Sequence, residues 1–246
     1  MQLVVAFLIG TITKMFNTKL PLYGIFIISS FIIGLGVIYK NTKQINLTKD
    51  ETMGLLIYIF LGSIFGAKYF TFFTNYYKYN GVFDLLKVGF SSYGALIGMM
   101  IMLLIFSRQY KKSFNKLFYC VLPSVPIMYA TGKIGCFLTG CCYGIKYNGP
   151  FNISYNYSYF APAGVKLFPV QILETIVFIL IYFWIRNKKL NRVNAGWTLV
   201  CCGISKFLLD YLRINHVNVF ISINQIFSIF FIGIGLFLVI NKNLNE

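Results

Sequence analysis

A chain of 246 residues that is 58% hydrophobic and 11% charged, with a mean hydropathy of +0.72, is not a soluble domain. Soluble domains carry about a quarter charged residues. The net charge of +16 raises nucleic acid as a partner, but the basic residues sit in short loops between apolar runs. That pattern orients membrane proteins, and the membrane, not nucleic acid, is the expected partner.

In chain order, Met1–Thr13 is apolar but too short to span. It lacks the basic start and small-residue cleavage site of a signal peptide, so an interfacial helix lying on the membrane is expected there. Seven spans follow, near Leu20–Tyr39, Met53–Asn75, Phe90–Ser107, Leu117–Leu138, Pro169–Arg186, Gly196–Leu212 and Ser222–Ile240. All are expected to be helices, because hydrocarbon offers backbone groups no partner outside a helix or a closed barrel and strand-like alternation is absent. No polar linker separates two domains, so residues 1–246 read as a single all-α, polytopic integral-membrane domain.

Loop charges set the expected orientation. Twelve basic residues, among them Lys40, Lys43, Arg108, Lys112, Arg186, Lys188 and Lys242, fall in the odd-numbered loops and the C-terminus, against seven on the opposite side. The positive-inside rule then puts the N-terminus outside and the C-terminus in the cytoplasm. The long loop Thr139–Phe168 lies outside, rich in Asn, Tyr, Ser and Pro as irregular structure is.

Charges inside the spans mark the candidate site. Lys68 follows Gly62-x-x-x-Gly66-Ala67, a close-packing face. Lys133 lies in Gly132-Lys133-Ile134-Gly135-Cys136-Phe137-Leu138-Thr139-Gly140-Cys141-Cys142-Tyr143-Gly144, where four glycines and three cysteines fall within thirteen residues. Glu174 stands at the start of the fifth span. Lys206, Asp210 and Arg213 are spaced i, i+4 and i+7 on one stripe of the sixth. Four cations against two carboxylates leave surplus positive charge in an apolar setting, which suits an anionic ligand such as a phosphate head group. The alternative is an internal Lys206–Asp210 pair, with the other cations reaching to the interface.

Cys120, Cys201 and Cys202 lie in spans and are expected to pack as small apolar residues. Cys136, Cys141 and Cys142 cluster near the outer surface, where they form a disulfide or remain as packed free thiols; a thiol acting in catalysis stays open. A zinc site needs a fourth ligand, and the one histidine, His216, follows the sixth span. No metal and no cofactor are expected.

Several motifs, in order along nearly the whole chain, carry a resemblance. Pro21-Leu22-Tyr23-Gly24 is similar to a Trp-Tyr-Gly motif, and Gly66-Ala67-Lys68 to Gly-Gly-Arg or Gly-Ala-Arg. Ser92-Tyr93-Gly94-Ala95-Leu96-Ile97-Gly98 resembles His-Gly-Gly-Leu-Ile-Gly. Gly132 to Gly144 resembles Gly-Arg-Ile-Gly-Asn-Phe-x-Asn-Gly-Glu-x-x-Gly. Phe168-Pro169-Val170-Gln171-Ile172-Leu173-Glu174 is similar to His-Pro-Thr-Gln-Leu-Tyr-Glu. Lys206-Phe207 with Asp210 and Arg213 is similar to Arg-Phe with Glu and Arg, and Asn224-Gln225-Ile226-Phe227-Ser228 to Gly-Gln-Ile-Leu-Ser. These motifs are those of the bacterial prolipoprotein diacylglyceryl transferase family, of which the chain resembles a divergent member.

The resemblance implies transfer of the diacylglyceryl group of phosphatidylglycerol to the lipobox cysteine in the signal-peptide region of a prolipoprotein, at the bacterial cytoplasmic membrane. It implies catalytic roles for Lys133, Lys206, Arg213 and Tyr93. It implies substrate contacts for Tyr23, Lys68, Gly94, Gly98, Cys136, Thr139, Gly140, Cys141, Gly144, Gln171, Glu174 and Asp210. This chain departs from the pattern where arginines become Lys68, Lys133 and Lys206, which lose the bidentate fork. Asparagines become Cys136 and Thr139, a glutamate becomes Cys141, and the histidine becomes Tyr93. With an ordinary pKa of about 10, a tyrosine is a poor general base and better suited to positioning a head group. Two alternatives stand beside this reading: a related transferase with another lipid or acceptor, and a non-catalytic lipid-binding homologue.

Overall fold

The computed structural model of the chain describes residues 22–74, 76, 90–156, 158, 160–214 and 220–241. Met1–Thr13, expected as an interfacial helix, lies outside the described residues, as does His216. Among the described residues the regular elements are helices: α1 (Leu22–Thr42), α2 (Lys49–Thr74), α3 (Ser92–Gln109), α4 (Phe114–Val121), α5 (Val125–Thr139), α6 (Val170–Ile185), α7 (Arg192–Asp210) and α8 (Ile223–Ile240). A helix stands at each of the seven expected stretches. Among the described residues, five segments are long and apolar enough to cross a membrane: Tyr23–Ile45, Lys49–Thr74, Ser92–Gln109, Phe114–Thr139 and Ile223–Ile240. The shorter Val170–Ile185 is also apolar. Ile32, Leu180 and Phe230 are exposed while Gln171, Glu174, Gln225 and Asp210 are buried, the reverse of a soluble fold. The chain is a multi-pass membrane protein.

The expected unbroken span Leu117–Leu138 is two helices. A 3-10 turn at Leu122–Ser124 separates α4 from α5. Pro123 and Pro126 account for it: a proline interrupts the backbone ladder by removing an N–H and by crowding the carbonyl one turn before it.

The chain divides into two compact units. The smaller holds Leu35–Ser124 and Lys189–Arg192, and its centre is the α2–α3 pair. There Gly62 and Gly66 face Gly94 and Gly98 so closely that a Cβ on any of the four would meet backbone of the facing helix. This is how helices associate in lipid, where small residues let backbones approach. Ser91 caps α3 by accepting the Gly94 N–H at 3.3 Å. The Asn41 side chain donates to the Cys120 carbonyl at 2.9 Å, tying the end of α1 to α4.

The larger unit takes in the described parts of Met1–Gly34, Val125–Lys188 and Val193–Asn245. In it α5 packs on α6, and Gly135 of α5 leaves room for Phe26 of α1. Gly196 and Gly235 bring α7 and α8 into backbone contact. The long loop after α5 carries a small core of its own, Ile153, Tyr155, Ala161 and Leu167, with Phe137, Tyr143 and Val165 packed on it. Isolated bridges pair Lys146 and Ile153 with Leu167, so the stretch that reads as irregular is a folded platform. The Tyr155 hydroxyl anchors it by donating to the Phe137 carbonyl at 2.8 Å.

Candidate active site

The larger unit holds a buried ionic cluster, and helical spacing builds it. Tyr129, Lys133 and Cys136, at i, i+4 and i+7, share one face of α5. Gln171 and Glu174 share the first turns of α6. Glu174 is fully buried and takes an ammonium on each oxygen: Lys133 Nζ lies 2.5 Å from Oε2, and Lys206 Nζ 2.9 Å from Oε1. The Tyr129 hydroxyl donates to the same Oε1 at 2.8 Å and accepts a short hydrogen bond from Lys206. Both ammoniums also lie over the Tyr129 ring, 5.2 and 4.8 Å from its centroid, within cation–π range.

The chain leaves α7 at Asp210, so Arg213 lies beyond the helix instead of continuing its stripe. An antiparallel bridge joins Arg213 to Gly144, with the Ile145 N–H donating to Leu212 at 3.0 Å and the Ile214 N–H to Tyr143 at 3.3 Å. Gly144 is required there, since a Cβ would run into the Phe168 and Leu212 carbonyls. The alternative Lys206–Asp210 pair is not formed. Asp210 accepts from Asn224 at 2.8 Å and from Ser222 in a short bond, and lies 3.6 Å from Arg213 Nη1. Ser222 caps α8 in a reciprocal box with Gln225, so Asp210 joins the end of α7 to the start of α8. Lys133, Lys206 and Arg213 against Glu174 and Asp210, all buried, leave one positive charge in excess. Arg213 also has a buried Nε–H with no hydrogen-bond partner among the described residues.

The α5 terminus gathers the thiols. The Cys141 N–H bonds the Cys136 carbonyl at 3.1 Å and the Gly140 N–H bonds Phe137 at 3.3 Å, with Gly140 left-handed at φ +75. This is a Schellman cap, in which the second residue past the helix end bonds the carbonyl of the residue five before it. Here those residues are Cys136 and Cys141. Cys142 is also left-handed, at φ 53, and the three sulfurs lie within 4.8 Å of one another. Hydrogen bonds from the Cys136 and Cys141 thiols, and then the charges of Lys133 and Arg213, hold the Cys142 thiol well below its ordinary pKa against the opposing effect of burial. The Thr139 hydroxyl is 3.0 Å from the Gly135 carbonyl and 3.6 Å from Cys141 Sγ. The Gln171 amide donates to the Cys141 carbonyl at 2.9 Å, so its place is under the loop backbone. All six cysteines are free of disulfides.

Of the residues singled out from the sequence, Lys133, Lys206, Arg213, Glu174, Asp210, Gln171, Cys136, Thr139, Gly140, Cys141 and Gly144 fall in this unit. So does Tyr23, within electrostatic reach of all three clustered cysteines. Lys68, Tyr93, Gly94 and Gly98 belong to the other unit, where Lys68 Nζ lies 5.0 Å from the centre of the Phe90 ring. Sequence reasoning misses Tyr129, which only its spacing from Lys133 signals. It also misses Ser222, flagged by no charge and visible only as a helix start, and it quotes Asn224 in a motif without giving it a partner.

Fold and site together define a multi-pass membrane protein with a desolvated, cation-rich interior. Residues 11–241 match the family model described as prolipoprotein diacylglyceryl transferase, and the chain belongs to that family. It is similar to the phosphatidylglycerol–prolipoprotein diacylglyceryl transferase of Clostridium tetani, 29% identical with 91% of this chain and 94% of that protein covered. A second such enzyme, from Clostridium perfringens, is 28% identical over 94% and 93% of the two chains. That of Finegoldia magna is 26% identical over 92% of each.

Proposed function

We propose that this chain transfers the diacylglyceryl group of phosphatidylglycerol to the cysteine thiol of a prolipoprotein, in the lipobox of its signal-peptide region. The donor and acceptor are those in the names of its relatives. The observation that carries the reading here is the buried cation excess with the unpartnered Arg213 Nε–H, a donor set matched to phosphate oxygens. In the reaction the acceptor sulfur attacks a glycerol carbon, the carbon–oxygen bond to phosphate breaks, and glycerol phosphate leaves with the electron pair. Negative charge grows on the leaving phosphate. Lys133, Lys206 and Arg213 stabilise it most as it develops, where preorganised charge accelerates a reaction. Glu174 and Asp210 hold those cations in place, and Gln171 fixes the Cys141 backbone beside them. Tyr23, Cys136, Thr139, Gly140, Cys141 and Gly144 line the substrate's approach. Lys68, Tyr93, Gly94 and Gly98 are proposed as donor-binding on the motif resemblance alone.

The proposal extends to topology. The chain crosses the bacterial cytoplasmic membrane seven times as one domain, with an N-terminal interfacial helix, the N-terminus outside and the C-terminus in the cytoplasm. The loop-charge asymmetry supports it.

The test is reconstitution of the purified chain in phosphatidylglycerol vesicles with a lipobox peptide. The expected result is a peptide mass raised by one diacylglyceryl group, with an equal amount of glycerol phosphate released. Replacing the peptide cysteine by serine should abolish both. Binding of anionic lipid with no transfer to any lipobox peptide would replace this reading by that of a lipid-binding homologue.

A further inference from the structure

The three thiols at the α5 terminus have a chemistry that the phosphate cradle does not use. We propose that Cys136, Cys141 and Cys142 bind one zinc(II) ion through three sulfurs, leaving its fourth position for the thiol of the acceptor. The metal site stands on the cluster itself; the role of its fourth position rests on the transferase reading above.

Geometry supplies the first argument. The sulfurs lie within 4.8 Å of one another, and zinc–sulfur bonds of about 2.3 Å in a tetrahedral site put bound sulfurs about 3.8 Å apart. Closing the site takes about 1 Å, the reach of a side-chain rotation. The backbone is already committed to it. The Schellman cap sets Cys141 against Cys136, and Cys142 holds a left-handed conformation that residues with a Cβ rarely adopt. The Gln171 amide fixes the Cys141 carbonyl and the Thr139 hydroxyl lies beside its sulfur, the kind of surrounding shell that orients metal ligands. Cys136 is buried while Cys141 and Cys142 are half-buried, so the cluster is open on one side.

Charge supplies the second. Three thiolates around a divalent cation carry one net negative charge, and the adjacent ionic cluster carries one net positive charge. Loading the site therefore neutralises the region instead of setting a bare cation beside Lys133 and Arg213. Three thiolate donors select a soft or borderline metal over calcium or magnesium.

Function supplies the third. A thiol bound to such a metal ionises outright, so the acceptor sulfur becomes a nucleophile without a side-chain base, a task for which Tyr93 is poorly suited. The acceptor S–H proton passes to the phosphate oxygen that leaves, the sulfur forms its carbon–sulfur bond, and zinc keeps its oxidation state throughout.

The experiment uses the full chain, purified in detergent with its thiols kept reduced, and reads metal before turnover. One equivalent of zinc per chain is expected by elemental analysis. Cobalt(II) added to the zinc-depleted protein should give sulfur-to-metal charge-transfer absorption and tetrahedral ligand-field bands. Cys141→Ser and Cys142→Ser should each weaken metal binding at least tenfold with an unchanged thermal melt, and Cys201→Ser should leave it untouched. Reduced protein that takes up neither metal, or a disulfide within the trio in protein isolated without reductant, overturns the site. Lipobox peptide should alter the cobalt spectrum while its Cys→Ser analogue does not; metal that never senses the peptide overturns the role of the fourth position. Turnover separates the two proposals. Full transfer by metal-free protein overturns the zinc and keeps the transferase, whereas a loaded site with no transfer keeps the zinc and overturns the transferase.

Discussion

At the scale of single residues, the Glu174 carboxylate is the point on which two cations depend. A buried pair is expensive to break because the partner is left as an uncompensated charge. Glu174→Ala strands both Lys133 and Lys206 and should cost about 3–5 kcal/mol, read as a lowered melting temperature in detergent. Tyr129→Phe removes one hydroxyl from the same oxygen and leaves both ion pairs, so a loss of about 1 kcal/mol is expected. The reverse ranking would mean that the tyrosine, not the carboxylate, organises the cluster. Lys133 is also proposed to stabilise the leaving phosphate. Lys133→Ala should lower turnover by about a hundred- to a thousandfold, the scale seen when a preorganised stabilising group is removed. Lys133→Arg should retain partial activity, since the guanidinium keeps the charge but not the fit to Glu174. Equal rates for wild type and Lys133→Ala above background would make Lys133 a structural residue.

At the scale of elements, the α2–α3 pair is held by absence of side chains. Gly98 faces the Gly62 carbonyl and the Gly66 backbone, which have no rotamer with which to give way. Gly98→Leu should therefore exceed the usual overpacking cost of about 1–3 kcal/mol and lower both abundance and melting temperature. Gly36→Ala, where no atom of another described element lies within 4 Å of the added carbon, is the control and should be tolerated. A melt of Gly98→Leu indistinguishable from wild type would sink the close-packing account. One face of this pair was legible in the sequence, because Gly62-x-x-x-Gly66 announces a small face, but its partner in α3 was not. Lys133, Glu174 and Lys206 were legible as charges within the apolar interior, since a charge within an apolar run stands out. Their pairing was hidden: Lys206 and Asp210 at i, i+4 look like natural partners, and only the end of α7 at Asp210 with the start of α8 at Ser222 shows why Asp210 turns elsewhere. The break at Leu122–Ser124 was signalled by Pro123 and Pro126, but hydropathy alone runs straight through it. The meeting of the thiols was encoded as well, in Thr139-Gly140-Cys141, a helix stop that sets its flanking residues together.

At the scale of the whole molecule, the orientation proposed from loop charges has a direct check. In a background without native cysteines, a cysteine at Asn148, in the long loop, should react with an impermeant thiol reagent applied to spheroplasts. One at Asn191, between α6 and α7, should react only after the membrane is opened. The opposite labelling pattern would place the site on the cytoplasmic side and require the acceptor to be modified before export.

The Glu174 clamp also imposes an order of events during synthesis. Lys133 is made and inserted before Glu174 exists, and Lys206 arrives later still. For that interval α5 carries a lone ammonium, a disfavoured guest at membrane depth, so the nascent chain must hold it at the interface or against the insertion machinery until α6 follows. Release of a nascent chain between α5 and α6 leaves a fragment with a cation and no counter-ion, marked for removal by quality control. Completion of the helix pair is thus also the moment at which the half-made protein becomes acceptable to the bilayer.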